Sequence, residues 1–214
     1  MTARRRVTIC DYGAGNLHSL QKALATAEIN VRIDADPLHA IDPTTSDALV
    51  LPGVGAFSQA AEKLAPAREA IRTAAAEGFP VLGICLGMQL FVDTSEEGEG
   101  EGLGLLQGTV RRLRAARVPQ IGWNDIEHEQ SRHSSITLPP LAVAYYANSY
   151  VCELHDSRQV SAWSVYDADR FPAAVVAGPR DNVVGVQFHP EKSSANGVGF
   201  LRELMTRLLA AAAR

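Results

Sequence analysis

Residues 81–89 read Val-Leu-Gly-Ile-Cys-Leu-Gly-Met-Gln, and this stretch restricts the possible folds more than any other. An apolar strand runs into Gly83-x-Cys85-x-Gly87 and then into a helical segment, which is the form of a nucleophile elbow with cysteine in place of serine. A residue on so sharp a turn has a strained backbone, and its neighbours two positions away must lack bulky side chains. The turn also puts the sulfur at a helix N-terminus, where the dipole favours the thiolate. We therefore predict that Cys85 is an activated nucleophile.

The first half of the chain alternates short apolar runs with stretches of helical period. The pattern predicts strands at 7–10, 31–33, 48–51 and 81–84, and helices at 17–27, 58–64 and 66–77. Asn16 suits an N-cap, and Pro66 suits the start of a helix. Strands that alternate with helices imply crossover connections, and hence a largely parallel sheet covered on both faces.

The second half is richer in short, β-prone runs separated by turn residues. Strands are predicted at 109–113, 121–127, 142–147, 160–165, 173–177 and 183–187. An amphipathic helix with an apolar stripe over 200–209 closes the chain. The predicted fold class is α/β, a mostly parallel central sheet flanked by helices with extra antiparallel strands in the second half. No repeat or long linker divides the sequence, so residues 1–214 are predicted to form one domain.

Charge and cysteine content narrow the functional classes. A net charge of −4 argues against nucleic acid as a partner, because binding a phosphate backbone requires a basic face. Three cysteines without CxxC spacing favour neither a disulfide scaffold nor a zinc site, and they suit a reducing cytoplasm. Cys10 and Cys152 are expected to be small buried residues. The sequence contains no apolar run of transmembrane length, and we expect a soluble cytoplasmic protein without membrane contact, metal or cofactor.

A cysteine nucleophile needs a base, and that base needs an acceptor that orients it. His189 follows the strand predicted at 183–187, and the carboxyl ends of strands are where an α/β sheet holds its reactive groups. Pro190 fixes the turn so that Glu191 can reach the imidazole and hold its tautomer. The remaining histidines have no associated motif and are expected at the surface: His18, His39, His128, His133 and His155.

The loop Leu51-Pro-Gly-Val-Gly-Ala-Phe57 follows another predicted strand. Its glycines allow backbone N–H groups to approach a ligand closely, as an oxyanion hole requires. A Gly-x-Gly turn by itself is commonly only a turn. Beside a cysteine elbow we predict an oxyanion hole with the N–H groups of Val54 and Leu86 as donors.

Taken together, these motifs resemble the class I (triad) glutamine amidotransferases, whose fold is flavodoxin-like. Four further segments resemble the glutaminase subunits of imidazole glycerol phosphate synthase within that class. They are Asp11-Tyr-Gly-Ala-Gly-Asn16, Gly102-Leu-Gly-Leu-Leu-x-Gly108, Pro119-x-Ile-Gly-Trp-Asn124 and Tyr146-x-x-Ser-Tyr150. The resemblance spans nearly the whole chain.

The resemblance implies that Cys85, His189 and Glu191 hydrolyse glutamine through a glutamyl thioester. It implies a heterodimer in which ammonia passes to a cyclase subunit, which makes imidazole glycerol phosphate and the purine intermediate AICAR in histidine synthesis. The residues that fall where the family binds glutamine are Gly55, Gln89, Glu97, Ser149 and Tyr150. Those that fall toward the partner and its channel are Asn16, Gln120, Trp123 and Lys192.

Two positions depart from the family pattern. Gln120 and Asn148 stand where the family usually has histidine, on the side facing the partner and glutamine. They leave open a related subunit that feeds ammonia to a different cyclase-like enzyme, in specialised metabolism or surface-sugar synthesis. A non-catalytic scaffold is disfavoured by the complete triad, and a peptidase with the same elbow leaves the Gly-Trp-Asn and Asp-Tyr-Gly-x-Gly-Asn segments unexplained.

Overall fold

Strands and helices alternate up to residue 89 in a computed structural model of the protein, which describes residues 4–13, 15–129 and 136–212. The strands are β1 (Arg5–Cys10), β2 (Ile29–Asp34), β3 (Ala48–Leu51), β4 (Val81–Ile84), β5 (Thr94–Ser95), β6 (Gly108–Arg112), β7 (Gln120–Asp125), β8 (Glu127–His128), β9 (Val143–Asn148), β10 (Tyr150–Leu154), β11 (Val160–Tyr166), β12 (Asp169–Ala177) and β13 (Val183–Val186). The helices are α1 (Leu17–Leu24), α2 (Pro37–Ala40), α3 (Phe57–Leu64), α4 (Arg68–Ala76), α5 (Leu86–Gln89) and α6 (Ser194–Ala212). Short 3-10 turns lie at Ala65–Ala67, Ser157–Gln159 and Pro190–Lys192.

The described residues form an eight-stranded central sheet in the order β2-β1-β3-β4-β13-β12-β11-β8. The pairs from β2 through β13 are parallel, and those from β13 to β8 are antiparallel. Strands β10, β6 and β5 form a second sheet, and β7 pairs with β9 in an antiparallel ribbon. This confirms the predicted fold class. It also places the carboxyl ends of β4 and β13 side by side, since Val186 lies opposite Ile84.

Helices cover both faces of the central sheet. Helix α6 packs beside α1 on one face, and α3 and α4 pack on the other. The predicted stripe on α6 is buried throughout, with Leu201, Leu204 and Leu208 fully inaccessible. Each such leucine stabilises the fold by about 1.5–3 kcal/mol relative to an exposed one. Both faces of the sheet are thereby buried beneath the loops at its carboxyl edge.

Several predicted boundaries were wrong for identifiable reasons. The run predicted as one strand at 121–127 divides into β7 and β8, because the chain leaves the β7–β9 ribbon and joins the central sheet beside β11. Strand β10 was not predicted. It starts one residue after β9 but pairs with β6, and such a change of sheet leaves no mark on side-chain periodicity. Pro66 lies in the 3-10 turn that precedes α4 rather than in that helix. Asn16 does cap α1, where its side chain accepts from Ser19 N.

Candidate active site

Cys85 is the first residue after β4 and is 5% exposed. Its backbone has φ 52° and ψ −106°, a conformation that costs a non-glycine residue energy and is common at functional turns. Its N–H donates to the carbonyl of Val186 at 2.7 Å. The neighbouring strand β13 therefore holds the strained residue in place, and the predicted elbow backbone is confirmed.

Gly83 and Gly87 flank the elbow as its steric argument requires. A Cβ on Gly87 would lie 1.9 Å from the carbonyl oxygen of Leu51, and one on Gly83 would lie 2.6 Å from the oxygen of Gly87. Both distances fall far below van der Waals contact, and the opposing atoms are backbone. Only glycine fits at either position while α5 packs this closely on β3 and β4.

The loop after β3 packs directly on the elbow. A Cβ on Gly53 would lie 2.0 Å from the carbonyl oxygen of Ile84 and 2.4 Å from the amide nitrogen of Leu86. Gly55 has φ 131°, which favours glycine. Val54 and Leu86 line one cavity with Cys85, so the two predicted donors lie at the same site.

His189 lies just beyond β13 and is 1% exposed. Its Nδ1 is 2.9 Å from Oε1 of Glu191, and its backbone N–H donates to the carbonyl of Tyr145 at 2.8 Å. The 3-10 turn at Pro190–Lys192 brings the carboxylate back to the ring, as the His-Pro-Glu spacing predicted. Glu191 therefore holds the ring at Nδ1, and Tyr145 holds the backbone of His189.

The protonation of His189 reflects competing effects. Burial alone would lower its pKa, but the neighbouring Cys85 and Glu191 side chains favour the imidazolium and raise the pKa to about 9. Nε2 is buried and makes no well-aligned hydrogen bond to a described residue. We therefore attribute the influence of Cys85 to proximity, and Nε2 remains able to exchange a proton with a reacting molecule.

A cavity of about 170 Å³ opens beside the sulfur. Every residue that the family resemblance assigned to glutamine lines it with Cys85, namely Gly55, Gln89, Glu97, Ser149 and Tyr150. Glu97 accepts a hydrogen bond from the N–H of Phe57 at 2.8 Å, which fixes one carboxylate oxygen. Larger hollows occur near Phe79 and Thr137, but no cysteine is among their described lining residues. The residues that line the small cavity, rather than its volume, identify it as the candidate site.

The other two cysteines do not share this setting. Burial raises the pKa of Cys10 and that of Cys152 to about 12. Both are buried, as expected, and neither lines the cavity among its described residues. Cys85 is thus distinguished from the other two cysteines by its turn and its neighbours.

Comparison with known proteins agrees with this geometry. The family model described as "Glutamine amidotransferase class-I" matches residues 8–205. The chain belongs to the class I glutamine amidotransferases. It is 39% identical over 208 residues to imidazole glycerol phosphate synthase subunit HisH of Microcystis aeruginosa, covering 94% of this chain and 95% of that one. The same-named subunit of Halobacterium salinarum is 41% identical over 206 residues, covering 93% of this chain and 92% of the relative.

The fold is likewise that of solved amidotransferases. A crystal structure described as a glutamine amidotransferase superposes with a TM-score of 0.70 at 20% identity, covering 97% of this chain and 99% of that chain. Identity at that level supports the fold alone. The amidotransferase assignment rests instead on the family model and on the curated relatives near 40% identity.

The two departures from the family pattern face each other in the amidotransferase. Gln120 on β7 and Asn148 on β9 are directly paired and are 2% and 5% exposed. Oε1 of Gln120 and Oδ1 of Asn148 make no hydrogen bond to described residues. Asn148 lines the cavity, whereas Gln120 does not. On β7 the exposed residues are Ile121, Trp123 and Asp125.

The other residues assigned to a partner lie at the surface. Trp123 is 56% exposed and its ring packs edge-on against Tyr145, with centroids 6.3 Å apart. Asn16 and Lys192 are exposed. Strand β9 and helix α1 both contact the turn that carries Lys192, which brings the three residues to one region.

Sequence reasoning missed Gln187, a fully buried amide beside Cys85. Its Nε2 lies 3.5 Å from the Cys85 sulfur. A polar residue that follows the apolar run Val183–Val186 was the available signal. The exposed histidines His18, His39, His128 and His155 lie away from the cavity, whereas His133 and Ala14 of the Asp-Tyr-Gly-Ala-Gly-Asn segment fall outside the described residues.

Metal-binding clusters and membrane-spanning helices are both absent from the residues that the structure describes. In that part of the chain, no group of three or more His, Cys, Asp and Glu side chains is arranged to hold a metal ion. None of its helices is both long and apolar enough to span a membrane.

Proposed function

We propose that the chain is the glutaminase subunit of an imidazole glycerol phosphate synthase, hydrolysing glutamine through Cys85, His189 and Glu191. The observation that carries this proposal is the cavity in which a strained cysteine meets the expected glutamine-binding residues, with a buried His–Glu pair beside it. Residues 1–214 make up one amidotransferase domain in this proposal. Its three unpaired, buried cysteines suit the cytoplasm.

In the first half-reaction the Cys85 thiolate attacks the side-chain amide carbon of glutamine. An S–C bond forms, and negative charge develops on the amide oxygen, where the N–H groups of Val54 and Leu86 stabilise it. His189 passes its proton from Nε2 to the amide nitrogen, the C–N bond breaks, and ammonia departs. Glu191 holds Nδ1, so that Nε2 stays directed at the reacting atoms.

In the second half-reaction water attacks the glutamyl thioester. Neutral His189 takes a proton from that water, a C–O bond forms, and the C–S bond breaks. The new carboxyl group loses its proton to solvent as glutamate leaves, and the thiolate–imidazolium pair is restored. The raised pKa of His189 suits the first half-reaction, because the ring is protonated when ammonia must be expelled.

The partner in this proposal is a cyclase subunit that docks on the region of Asn16, Trp123 and Lys192. Support comes from the relatives near 40% identity that are named as HisH subunits of the synthase. Channelling into that partner is physically reasonable, because free ammonia at neutral pH would mostly become ammonium and stop being a nucleophile. The cyclase then forms imidazole glycerol phosphate and AICAR.

A second candidate keeps the chemistry and changes the recipient of the ammonia. The observation that favours it is the buried Gln120–Asn148 pair, which replaces two histidines beside the cavity. The triad is intact in both candidates, so hydrolysis alone does not separate them. The partner must be varied instead.

The test is glutamate release measured with and without a histidine-pathway cyclase and its ribulosyl phosphate ligand. We expect low activity for the subunit alone and a rise of roughly 5- to 150-fold in the ligand-bound complex, the usual range of coupling between sites. The Cys85→Ala variant should form the same complex and release no glutamate. Hydrolysis that the cyclase leaves unchanged would favour the second candidate.

A further inference from the structure

Gln187 touches the sulfur of Cys85 but has no part in the triad. It follows β13 directly, is fully buried, and is anchored by its backbone N–H, which donates to the carbonyl of Ala173 at 2.9 Å. Its side-chain Nε2 lies 3.5 Å from Sγ of Cys85, within hydrogen-bond range for sulfur. Its Oε1 accepts from Nε2 of Gln89 at 3.2 Å. The buried amide therefore connects the nucleophile to a residue of the glutamine cavity.

The orientation of the Gln187 amide follows from the bonds around it. Nε2 of Gln89 is 2.8 Å from the carbonyl oxygen of Tyr150, which can only accept a hydrogen bond. This contact identifies the Gln89 nitrogen, and the same nitrogen donates to Gln187. The oxygen of Gln187 must therefore face Gln89, which leaves its nitrogen facing the sulfur. The hydrogen-bond network thus assigns the oxygen and the nitrogen of the Gln187 amide, which have nearly the same shape.

An N–H group aimed at the sulfur favours the charged form of that sulfur, because a thiolate accepts hydrogen bonds better than a thiol. The same contact restricts where the sulfur lies over the cavity. Gln89 lines that cavity, so a glutamine bound there would contact Gln89, the first residue of the hydrogen-bonded series Gln89–Gln187–Cys85. A bound substrate and an oriented nucleophile are thus linked through one buried side chain.

We propose that Gln187 is a positioning residue, which donates a hydrogen bond to the Cys85 sulfur and couples that sulfur to the glutamine cavity through Gln89. This inference deepens the proposed glutaminase function and rests on it. Gln187 is not among the described residues that line the cavity. It acts through the nucleophile on one side and through a cavity residue on the other.

The test compares Gln187→Met, which keeps the side-chain length without a donor, with Gln187→Glu, which keeps the shape but offers an acceptor to the sulfur. The readout is the pH dependence of Cys85 alkylation by iodoacetamide, followed on the peptide that carries this residue. We expect the midpoint to move to higher pH by about 1 in Gln187→Met, from the usual strength of hydrogen bonds to ionised groups, and further in Gln187→Glu. In the cyclase complex, kcat for glutamine should fall about tenfold for that shift, with KM changed less.

Asn182 provides the matched control. It is a fully buried amide immediately before the same strand, and its Nδ2 donates to the carbonyls of Ala75 and Phe79. Asn182→Leu should lower the melting temperature and leave the alkylation profile in place. If Gln187→Met does not fold, the isosteric Gln187→Glu still decides the matter, since Gln89 can donate to its carboxylate.

The inference is overturned if folded Gln187→Met and Gln187→Glu are alkylated with the wild-type pH profile. It is also overturned if Asn182→Leu moves the profile as far as they do, because the effect would then be general. Failure of the proposed function has a different signature, namely a wild-type complex that does not hydrolyse glutamine. The alkylation comparison tests the Gln187–Cys85 contact whether or not the complex hydrolyses glutamine.

Discussion

Removing the charge of Glu191 should move the alkaline limit of glutamine hydrolysis to lower pH. His189 has its pKa raised from 6.5 to about 9, which corresponds to about 3 kcal/mol in favour of the imidazolium. Two partners, Cys85 and Glu191, oppose the effect of burial to produce that shift. A hydrogen bond to a charged group contributes roughly 1.5–3 kcal/mol, so the Glu191→Gln variant should lower the His189 pKa by about 1–2.

The sign of the effect follows from the role of the ring. Hydrolysis requires the imidazolium to protonate departing ammonia, so wild-type activity should fall as pH rises through about 9. The raised pKa of His189 also implies a stabilising contribution that is complete below pH 6.5 and is lost as pH rises through about 9. In Glu191→Gln activity should fall as pH rises through about 7–8, and the smaller stabilising contribution should be lost between pH 6.5 and the same range.

The assay is kcat/KM for glutamate release by the cyclase complex between pH 6 and 10, where the alkaline limb reports the free enzyme. Glu203→Gln is the control, because that carboxylate pairs with Arg207 on the surface of α6 and lies far along the chain from the cavity residues. It should leave the profile unchanged. An alkaline limb in Glu191→Gln that coincides with the wild type would refute the role given to the His189–Glu191 pair.

Three other perturbations test the elbow, the scaffold and the docking region. Gly87→Ala places a Cβ 1.9 Å from the carbonyl oxygen of Leu51 and should destabilise the fold by about 3 kcal/mol, which lowers the melting temperature by about 6–12 °C. The control is Gly199→Ala at an exposed, unobstructed position of α6, which should stabilise the fold by up to about 1 kcal/mol. Equal melting temperatures for the two variants would contradict the packing argument. Asp169→Asn breaks a buried bidentate ion pair with Arg111 that connects β6 to β12, and it should lower the free energy of unfolding in urea by about 3 kcal/mol. A decrease below about 0.5 kcal/mol would show that the fold does not depend on this pair. Trp123→Ala should weaken cyclase binding about 30-fold in a titration without altering the melting temperature, and unchanged affinity would place the interface elsewhere.

The parts of the site that could be predicted are those whose geometry is local. Gly83 and Gly87 surround Cys85 within one turn, and Glu191 reaches His189 across a single proline, so sterics over a few residues determine both arrangements. The parallel order of the first strands followed from their alternation with helices.

Contacts that depend on strand register could not be predicted in this way. Gln187 and Cys85 are 102 residues apart, and they meet because β13 pairs with β4 in one particular register. Ser149 separates two strands that belong to different sheets, and no local pattern encodes that change. The burial of Gln120 opposite Asn148 likewise depends on the register of β7 and β9, and its place along a channel to the partner stays a prediction.

The central claim is that Cys85 is the nucleophile that attacks glutamine. It is tested most directly by treating the protein with an electrophilic glutamine analogue and mapping the modified peptide by mass spectrometry. We predict one adduct, on Cys85, whose formation glutamine slows, while Cys10 and Cys152 stay unmodified because burial raises the pKa of each to about 12. Modification of Cys10 or Cys152 instead, or a Cys85 adduct that forms equally fast with saturating glutamine present, would contradict the claim.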